Sequence, residues 1–245
     1  MQHKALPNQM HNPAPATRFP IPALCRGDRE LLDGWISGVR TGSLRICLTL
    51  IIVGLSLYGA TVGLWRGWEM AAYVAIKLPA AVLLTLLVNG LLNGMLGLVL
   101  GSGIGFRQSL QFLLAGFAIM ALILGALSPV TFFLALNTPP ADAPDARDWH
   151  ALTLLTHTVA IAVAGILSHR KLLGFLREFA LSRLTGVQTF FAWLAGNLFV
   201  GAQITWILRP FFGTPGLEVQ FLRPHPLEGN FYDTVLHAAL HLLGF

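Results

Sequence analysis

The stretch AAYVAIKLPAAVLLTLLVNG, residues 71–90, places Lys77 and Pro79 at the head of a long apolar run. Only a helix satisfies its own backbone hydrogen bonds across lipid, and about 20 mostly apolar residues are enough to cross a bilayer. Hydrophobic residues make up 55% of the whole chain and charged residues 11%, whereas a typical soluble domain has about 25% charged residues. The stretch therefore predicts a transmembrane helix in a membrane protein.

Four further apolar runs have a similar length. Together they predict an all-α polytopic membrane protein, a five-helix transmembrane bundle with short interfacial helices before the first span and at the C-terminus. Pro129 is expected to kink the third span, and Pro79 is expected in the first turn of the second, where its missing N–H costs nothing. The predicted spans run from about Ile46 to Trp65, Leu78 to Val99, Gln108 to Ser128, His150 to Ile166 and Thr189 to Leu208.

The chain divides into four predicted segments. Five prolines and little apolar periodicity indicate a mobile tail, and the next segment has the one-sided apolar pattern of a helix lying on the membrane surface. The C-terminal segment contains an amphipathic helix that starts near Asn230. The segments are the mobile tail at 1–24, the interfacial amphipathic helix at 25–42, the five-span domain at 43–208 and the outer-face segment at 209–245.

The distribution of Lys and Arg predicts the orientation. With an odd number of spans the two termini lie on opposite sides, and a cytoplasmic N-terminus puts eleven cations inside and four outside, with Lys77 set aside. Cytoplasmic segments carry the excess of Lys and Arg in membrane proteins. We therefore expect a cytoplasmic N-terminus and an outward-facing, periplasmic C-terminus.

Lys77 is the first candidate for an intramembrane polar site. It enters the second span from the outside, about one turn below the interface, and a lysine stem can extend to the headgroups. An anchoring role is therefore favoured over a functional one. Its candidate partners are Glu69, Asp145, Asp148 or a lipid phosphate.

The second span also carries a stripe of small and amide side chains. Small residues four apart allow two helix backbones to approach closely, and asparagines can bridge between helices. A helix-packing seam is the favoured interpretation, and a polar pathway is the alternative. The seam consists of Asn89, Gly90, Asn93, Gly94, Gly97 and Gly101.

The fourth and fifth spans contribute the other intramembrane candidates. His157 falls near mid-membrane, where an ionisable residue is a candidate functional group, although a neutral histidine bonded to a neighbouring helix is the commoner case. Asn197 and Gln203 lie on the fifth span. We expect spans two, four and five to meet along their polar and small faces.

Several chemistries lack support in the sequence. None of the five predicted spans contains Asp or Glu, on which coupled carriers usually depend. Hydrolase, metalloprotease and phosphate-binding motifs are absent, and His237 and His241 have no third ligand in register for a metal. Because the cations act as orientation signals, the sequence predicts no nucleic-acid partner. The missing motifs and the missing third ligand predict no metal and no cofactor.

The C-terminal motif carries a resemblance to a known group. The five-span plan, the K-x-P start of span two and FRQSL at 106–110 are similar to the Yip1-like superfamily, and the ending W-x-x-R-P-F-x-G-x-P-G, F-x-R-P, G-N-F-Y resembles a group of bacterial multi-pass inner-membrane proteins. The resemblance implies a bacterial inner-membrane location and transfers no catalytic residue. The outer-face motif comprises Trp206, Arg209, Pro210, Gly213, Arg223, Asn230 and Tyr232.

These patterns favour a non-enzymatic membrane scaffold or accessory subunit, with the bilayer and other membrane subunits as partners through the seam and the C-terminal helix. The alternative is a small-solute or lipid transporter with a polar pathway between spans two, four and five. An enzyme would need a substrate site on the outer face, near Arg209, Arg223 and His225.

Overall fold

The computed structural model describes residues 42–243, except for the side chains at positions 42, 43, 171, 175, 178 and 179. The tail predicted at 1–24 and nearly all of the interfacial helix predicted at 25–42 lie outside the described residues. The described part contains six α-helices, a short 3-10 helix at Leu64–Arg66 and no strand. The α-helices are Gly42–Gly63 (α1), Trp68–Val99 (α2), Phe106–Asn137 (α3), Ala146–Phe179 (α4), Arg183–Ile207 (α5) and Phe231–Leu242 (α6).

Helices α1 to α5 are long and apolar enough to cross a membrane, which confirms the predicted all-α polytopic fold. Most of the helices are longer than the predicted spans, and the largest boundary differences are in α2 and α4. Helix α2 starts at Trp68 rather than near Leu78, directly after Gly67, whose φ of 104° turns the chain. Helix α4 continues to Phe179, well past the predicted end at Ile166.

The longer α2 places Pro79 in the helix interior, so the prediction that it lies in the first turn is wrong. A proline at this position leaves the carbonyl of Ala75 without its intrahelical donor. The Ser56 hydroxyl of α1 supplies the missing hydrogen bond at 2.8 Å. In α3, Pro129 likewise lies inside one helix that runs unbroken to Asn137.

Helix α3 is the central helix of the bundle. In its most apolar window 61% of residues are buried, against 17% in α5, and α3 contacts α1, α2 and α4. Gly54 of α1 faces α3 so closely that a Cβ there would clash with the Ala121 carbonyl oxygen. Gly125 of α3 lies opposite, where an added Cβ would be 3.0 Å from the Gly54 Cα.

Helices α1 and α2 form a tight antiparallel hairpin. A Cβ at Gly59 would lie 2.6 Å from the Val74 carbonyl oxygen, and one at Gly63 would lie 2.5 Å from that of Met70. Such contact between backbones is the use that membrane helices make of glycines four apart. The GxxxG spacing that brings two helices together is therefore on α1.

Helix α6 packs on the ends of α4 and α5 of its own chain. Its first turn is capped by the Asn230 side chain, which accepts from the Asp233 N–H at 2.8 Å. A hydrogen bond of 2.8 Å between His241 Nε2 and Asp148 Oδ1 joins it to α4. None of its residues is fully buried, and Leu236 remains 56% exposed.

Candidate functional site

Lys77 lies nine residues into α2, which corresponds to about 13 Å along the helix axis. Its side chain is only 1% exposed, and its ammonium donates a 2.9 Å hydrogen bond to the Pro210 carbonyl oxygen. The expectation that Lys77 extends to the headgroups is wrong, because protein encloses the side chain. The three carboxylates considered as its partners bind other groups: Glu69 accepts from Tyr73, Asp145 from Trp149 and Asp148 from His241.

Three aromatic rings complete the surroundings of the Lys77 ammonium. Nζ lies 4.8 Å from the ring centroid of Phe221 and 5.9 Å from those of Tyr73 and Phe211. Cations within about 6 Å of a ring centroid are attracted by the ring quadrupole, and the attraction grows when water is excluded. The lysine is therefore held by a carbonyl and aromatic faces instead of by a counter-ion.

The carbonyl that Lys77 binds belongs to residues 208–230, which have no regular secondary structure and which we call the cap segment. Irregular backbone near lipid is tolerated only where the protein satisfies its polar groups. Cationic side chains supply these donors here. Arg66 Nη2 donates to the Leu217 carbonyl at 2.6 Å, and the Arg66 stem lies against Gly213, where a Cβ would be 2.6 Å from Cγ.

The second half of the cap segment surrounds the Arg209 side chain and is held by it. Its guanidinium donates to the carbonyls of His225 and Pro226 at 2.8 Å each and to that of Glu228 at 3.0 Å. It also lies 4.0 Å from the ring of Trp206. Burial and the nearby Arg223 lower the pKa of Arg209, while Glu228 acts in the opposite direction.

The outer-face motif is thus largely a structural unit. Trp206 Nε1 donates to the Glu228 carbonyl at 2.8 Å, and Tyr232 Oη donates to the Leu198 carbonyl of α5 at 3.2 Å. Arg223 is half-buried, and its Nη2 has no hydrogen-bond partner among the described residues. The motif residues tie the cap segment and α6 to the end of the bundle.

His157 of α4 is enclosed at the boundary between α1 and the cap segment. Its side chain is 3% exposed, its Nδ1 lies 2.7 Å from the hydroxyl oxygen of Tyr58, and its ring centroid lies 5.5 Å from that of Phe212. The predicted meeting of spans two, four and five along their polar and small faces is found in part, because α5 contacts both α2 and α4, whereas the hydrogen-bond partner of His157 is on α1. The structure instead connects His157 to the cap segment that also contacts Lys77.

The asparagines form a separate polar cluster between α2 and α5. The side chains of Asn89 and Asn93 are fully buried and that of Asn197 is 8% exposed, yet none of their amide nitrogen and oxygen atoms has a hydrogen-bond partner among the described residues. The carbonyl oxygens of Asn89 and Asn93 both lie 3.8 Å from the position of a Cβ at Gly196. We call these three residues the amide cluster. Since a buried unpaired amide costs free energy, the amide cluster is the strongest candidate for a site that binds a polar ligand.

The glycines of the predicted seam face a different direction from the asparagines. Gly94 accommodates the ring of Phe106, and a Cβ added at Gly90 would lie 3.0 Å from the Leu110 side chain. Gly97 contacts the loop that follows α2, and Gly101 (φ 62°) forms its turn with nothing within 4 Å of an added Cβ. Among the described residues, the glycines of the seam therefore contact side chains of α3 and a loop without close approach of another helix backbone, whereas its asparagines face α5.

Two contact residues of these sites were missed by sequence reasoning. Tyr58 binds His157, and Trp193 Nε1 donates to the Asn93 main-chain carbonyl at 2.9 Å. Both are buried aromatic residues with a polar atom, which usually has a partner in a membrane interior. That signal was present in the sequence. The predicted candidate Gln203, by contrast, is half-buried and forms no hydrogen bond within the described chain.

No three His, Cys, Asp or Glu side chains of residues 42–243 lie close enough to hold one metal ion. The buried polar side-chain atoms that have no hydrogen-bond partner in the described residues include all the amide atoms of the amide cluster, together with the hydroxyls of Ser109, Ser128 and Thr189. Comparisons of the chain with protein-family models, with curated proteins and with solved structures found no match.

Proposed function

We propose that the chain is a non-enzymatic integral membrane scaffold, an accessory subunit of a larger bacterial inner-membrane complex. One observation carries the proposal: Lys77, Arg66 and Arg209 all donate to main-chain carbonyls of the cap segment. A catalytic or transport site directs its charged groups into a cavity that admits the substrate. Here the charged groups stabilise a folded cap.

The cap presents a surface suited to another subunit. Among its residues Leu227 is 80% exposed and Leu217 49%, and Leu236 of the adjoining α6 and Leu243 directly after it are exposed as well. Exposed apolar side chains close together at a polar end of a protein mark interaction sites. We infer that a partner subunit covers this surface.

We place the cap on the periplasmic side and the N-terminus in the cytoplasm. The distribution of Lys and Arg along the chain supports this orientation by the positive-inside rule. The similarity of the C-terminal motif to bacterial inner-membrane proteins supports the choice of membrane.

Co-purification tests the scaffold. The tagged chain, extracted in mild detergent, should retain at least one other membrane protein at a fixed ratio by mass spectrometry. Arg209→Gln should lose that partner, because the guanidinium that folds the cap is removed. Arg147→Gln is the matched control, since Arg147 is exposed at the same end of the bundle and forms no hydrogen bond or ion pair in the described structure.

A partner that stays bound to both variants would show that the cap is not the docking surface. A wild-type chain that elutes as a monodisperse monomer without any partner would overturn the proposal itself. Size-exclusion profiles of both variants establish that each remains folded.

The unpaired amides favour a transporter as the second candidate. If the amide cluster lines a polar pathway, Asn197→Cys should react with a small, charged, water-soluble thiol reagent. Leu198→Cys is the control, because Leu198 is 60% exposed on the apolar surface of the same helix and should face lipid. An unreactive Asn197→Cys would indicate a dry interior and reject the pathway.

A further inference from the structure

The end of the bundle opposite the cap has a strongly unbalanced charge. It contains the start of α1, the loop between α2 and α3, and the turn between α4 and α5, and we call it the arginine end. None of its five described arginines donates a hydrogen bond or forms an ion pair. These arginines are Arg45, Arg107, Arg170, Arg177 and Arg183.

Acidic residues are concentrated at the other end. Between residues 42 and 243 the sequence has eight Asp and Glu, and only Glu178 falls at the arginine end. The first turns of the helices follow the same division. Helices α1, α3 and α5 begin at the arginine end with no acidic residue in the first turn, whereas α2, α4 and α6 begin near the cap with Glu69, Asp148 and Asp233.

Arginine in the first turn of a helix is electrostatically unfavourable, because the N-terminus already carries partial positive charge. Arg107 of α3 and Arg183 of α5 occupy such positions. No carboxylate of the described chain compensates them. An external anion would relieve this excess of positive charge.

The two helix starts lie side by side. The Leu181 N–H donates to the Ser102 carbonyl at 3.1 Å, and the Leu181 side chain would be 3.1 Å from a Cβ at Gly103. These contacts join the loop before α3 to the turn before α5. Arg177 lies across the same turn, since its Cα is 3.1 Å from the Cβ position of Gly186.

Apolar side chains lie beside these arginines. Leu181 is 81% exposed, Leu184 68% and Phe106 43%. A free phosphate ion has no apolar group that could contact these side chains, whereas a phospholipid has both an anionic headgroup and acyl chains. The surface therefore matches a lipid in charge and in polarity.

We propose that the arginine end binds anionic phospholipids. The phosphodiester groups pair with Arg107, Arg177 and Arg183, and guanidinium groups bind phosphate oxygens through paired N–H donors. Leu181 and Leu184 lie at the boundary of the acyl chains. Binding neutralises the two helix starts and fixes the depth of the bundle in the bilayer.

The test compares three additions to the purified full-length chain in a non-ionic detergent: phosphatidylglycerol, phosphatidylcholine and inorganic phosphate. Native mass spectrometry counts bound lipids, and the thermal midpoint reports stabilisation. Phosphatidylglycerol should remain bound and raise the midpoint, while the other two should not. Its binding should weaken as salt concentration rises, because exposed charges are screened.

Charge variants locate the site. The triple variant Arg107→Gln, Arg177→Gln, Arg183→Gln should weaken phosphatidylglycerol binding by at least about tenfold, from the usual contribution of each cation near a charged membrane surface. The matched triple replacement by Lys should retain most of the affinity, and Arg147→Gln at the cap end should retain all of it.

Three results would overturn the proposal. They are equal binding of phosphatidylcholine, stabilisation by inorganic phosphate alone, and undiminished phosphatidylglycerol binding by the glutamine triple variant. The replaced side chains are exposed and form no hydrogen bond or ion pair in the described structure, so the variants should fold. If the glutamine variant does not fold, salt-insensitive binding by the wild type would overturn it instead.

Discussion

At the scale of single residues, the cations near the cap are stabilised by carbonyl oxygens and aromatic rings. Lys77, Arg66 and Arg209 each donate to the cap segment, and none of them forms an ion pair with a carboxylate of the described chain. A segment without helix or strand leaves many carbonyls unpaired, and a long cationic side chain can reach them. The cap is thereby held without Asp or Glu in the membrane interior.

Replacing Lys77 with Met tests this role. Methionine keeps the length of the side chain and removes the donor, so the Pro210 carbonyl is left buried and unpaired. Such a loss costs about 1–3 kcal/mol. We expect a lower thermal midpoint in detergent and faster proteolysis within residues 208–230.

Arg45→Met serves as the control for Lys77→Met, since Arg45 is exposed and forms no hydrogen bond or ion pair in the described structure. The control should change the midpoint little, as surface substitutions usually do. Were Lys77→Met as stable and as resistant to protease as the wild type, the hydrogen bond to Pro210 would not hold the cap.

At the scale of helices, the bundle depends on close contact between α1 and its neighbours. Gly54→Ala would place a methyl group against the Ala121 carbonyl and force α1 away from α3. Overpacking of this kind costs about 1–3 kcal/mol. We expect the thermal midpoint to fall, measured on the monodisperse fraction in detergent.

Gly116→Ala provides the comparison for Gly54→Ala. Gly116 lies on α3, and an added Cβ there would meet nothing within 4 Å. Alanine also favours the helix by about 1 kcal/mol over glycine, so this variant should be at least as stable as the wild type. Equal stability of the two variants would contradict the close α1–α3 contact.

The helices themselves were predictable from the sequence, but their pairing was only partly so. Apolar length identifies α1 to α5, because a backbone in lipid has few alternatives to a helix. The spacing of Gly90 and Gly94 is the same as that of Gly59 and Gly63, and only the second pair meets another backbone. Spacing describes one surface of one helix, whereas packing depends on which neighbour the loops bring to it.

The partners of buried polar groups were also beyond the sequence. Lys77 binds a carbonyl of Pro210, which is 133 positions away, and His157 binds Tyr58 at a separation of 99. Main-chain carbonyls are present at every residue and carry no sequence signal. A search for carboxylates therefore could not find the partner of Lys77.

At the scale of the whole molecule, the two ends of the bundle differ in their charged residues and in how those residues are paired. The cap end has most of the acidic residues, and Lys77, Arg66 and Arg209 donate hydrogen bonds to the cap segment there. The arginine end has arginines that form no hydrogen bond or ion pair within the described residues. If the arginine end binds anionic lipid and the cap binds another subunit, the chain would be fixed in depth by one end and recognised at the other. Both roles require the same orientation in the membrane.

Thiol labelling tests that orientation. In a background with Cys25 and Cys47 replaced by Ser, Asp142→Cys places one thiol at the cap end and Leu181→Cys places one at the arginine end, both at exposed positions. A membrane-impermeant maleimide added to cells with a permeabilised outer membrane should label Asp142→Cys at once. It should label Leu181→Cys only after lysis, because the orientation proposed from the positive-inside rule has that end in the cytoplasm. The reverse pattern would leave the helical bundle intact but would turn the cap inward, where a periplasmic partner could not reach it.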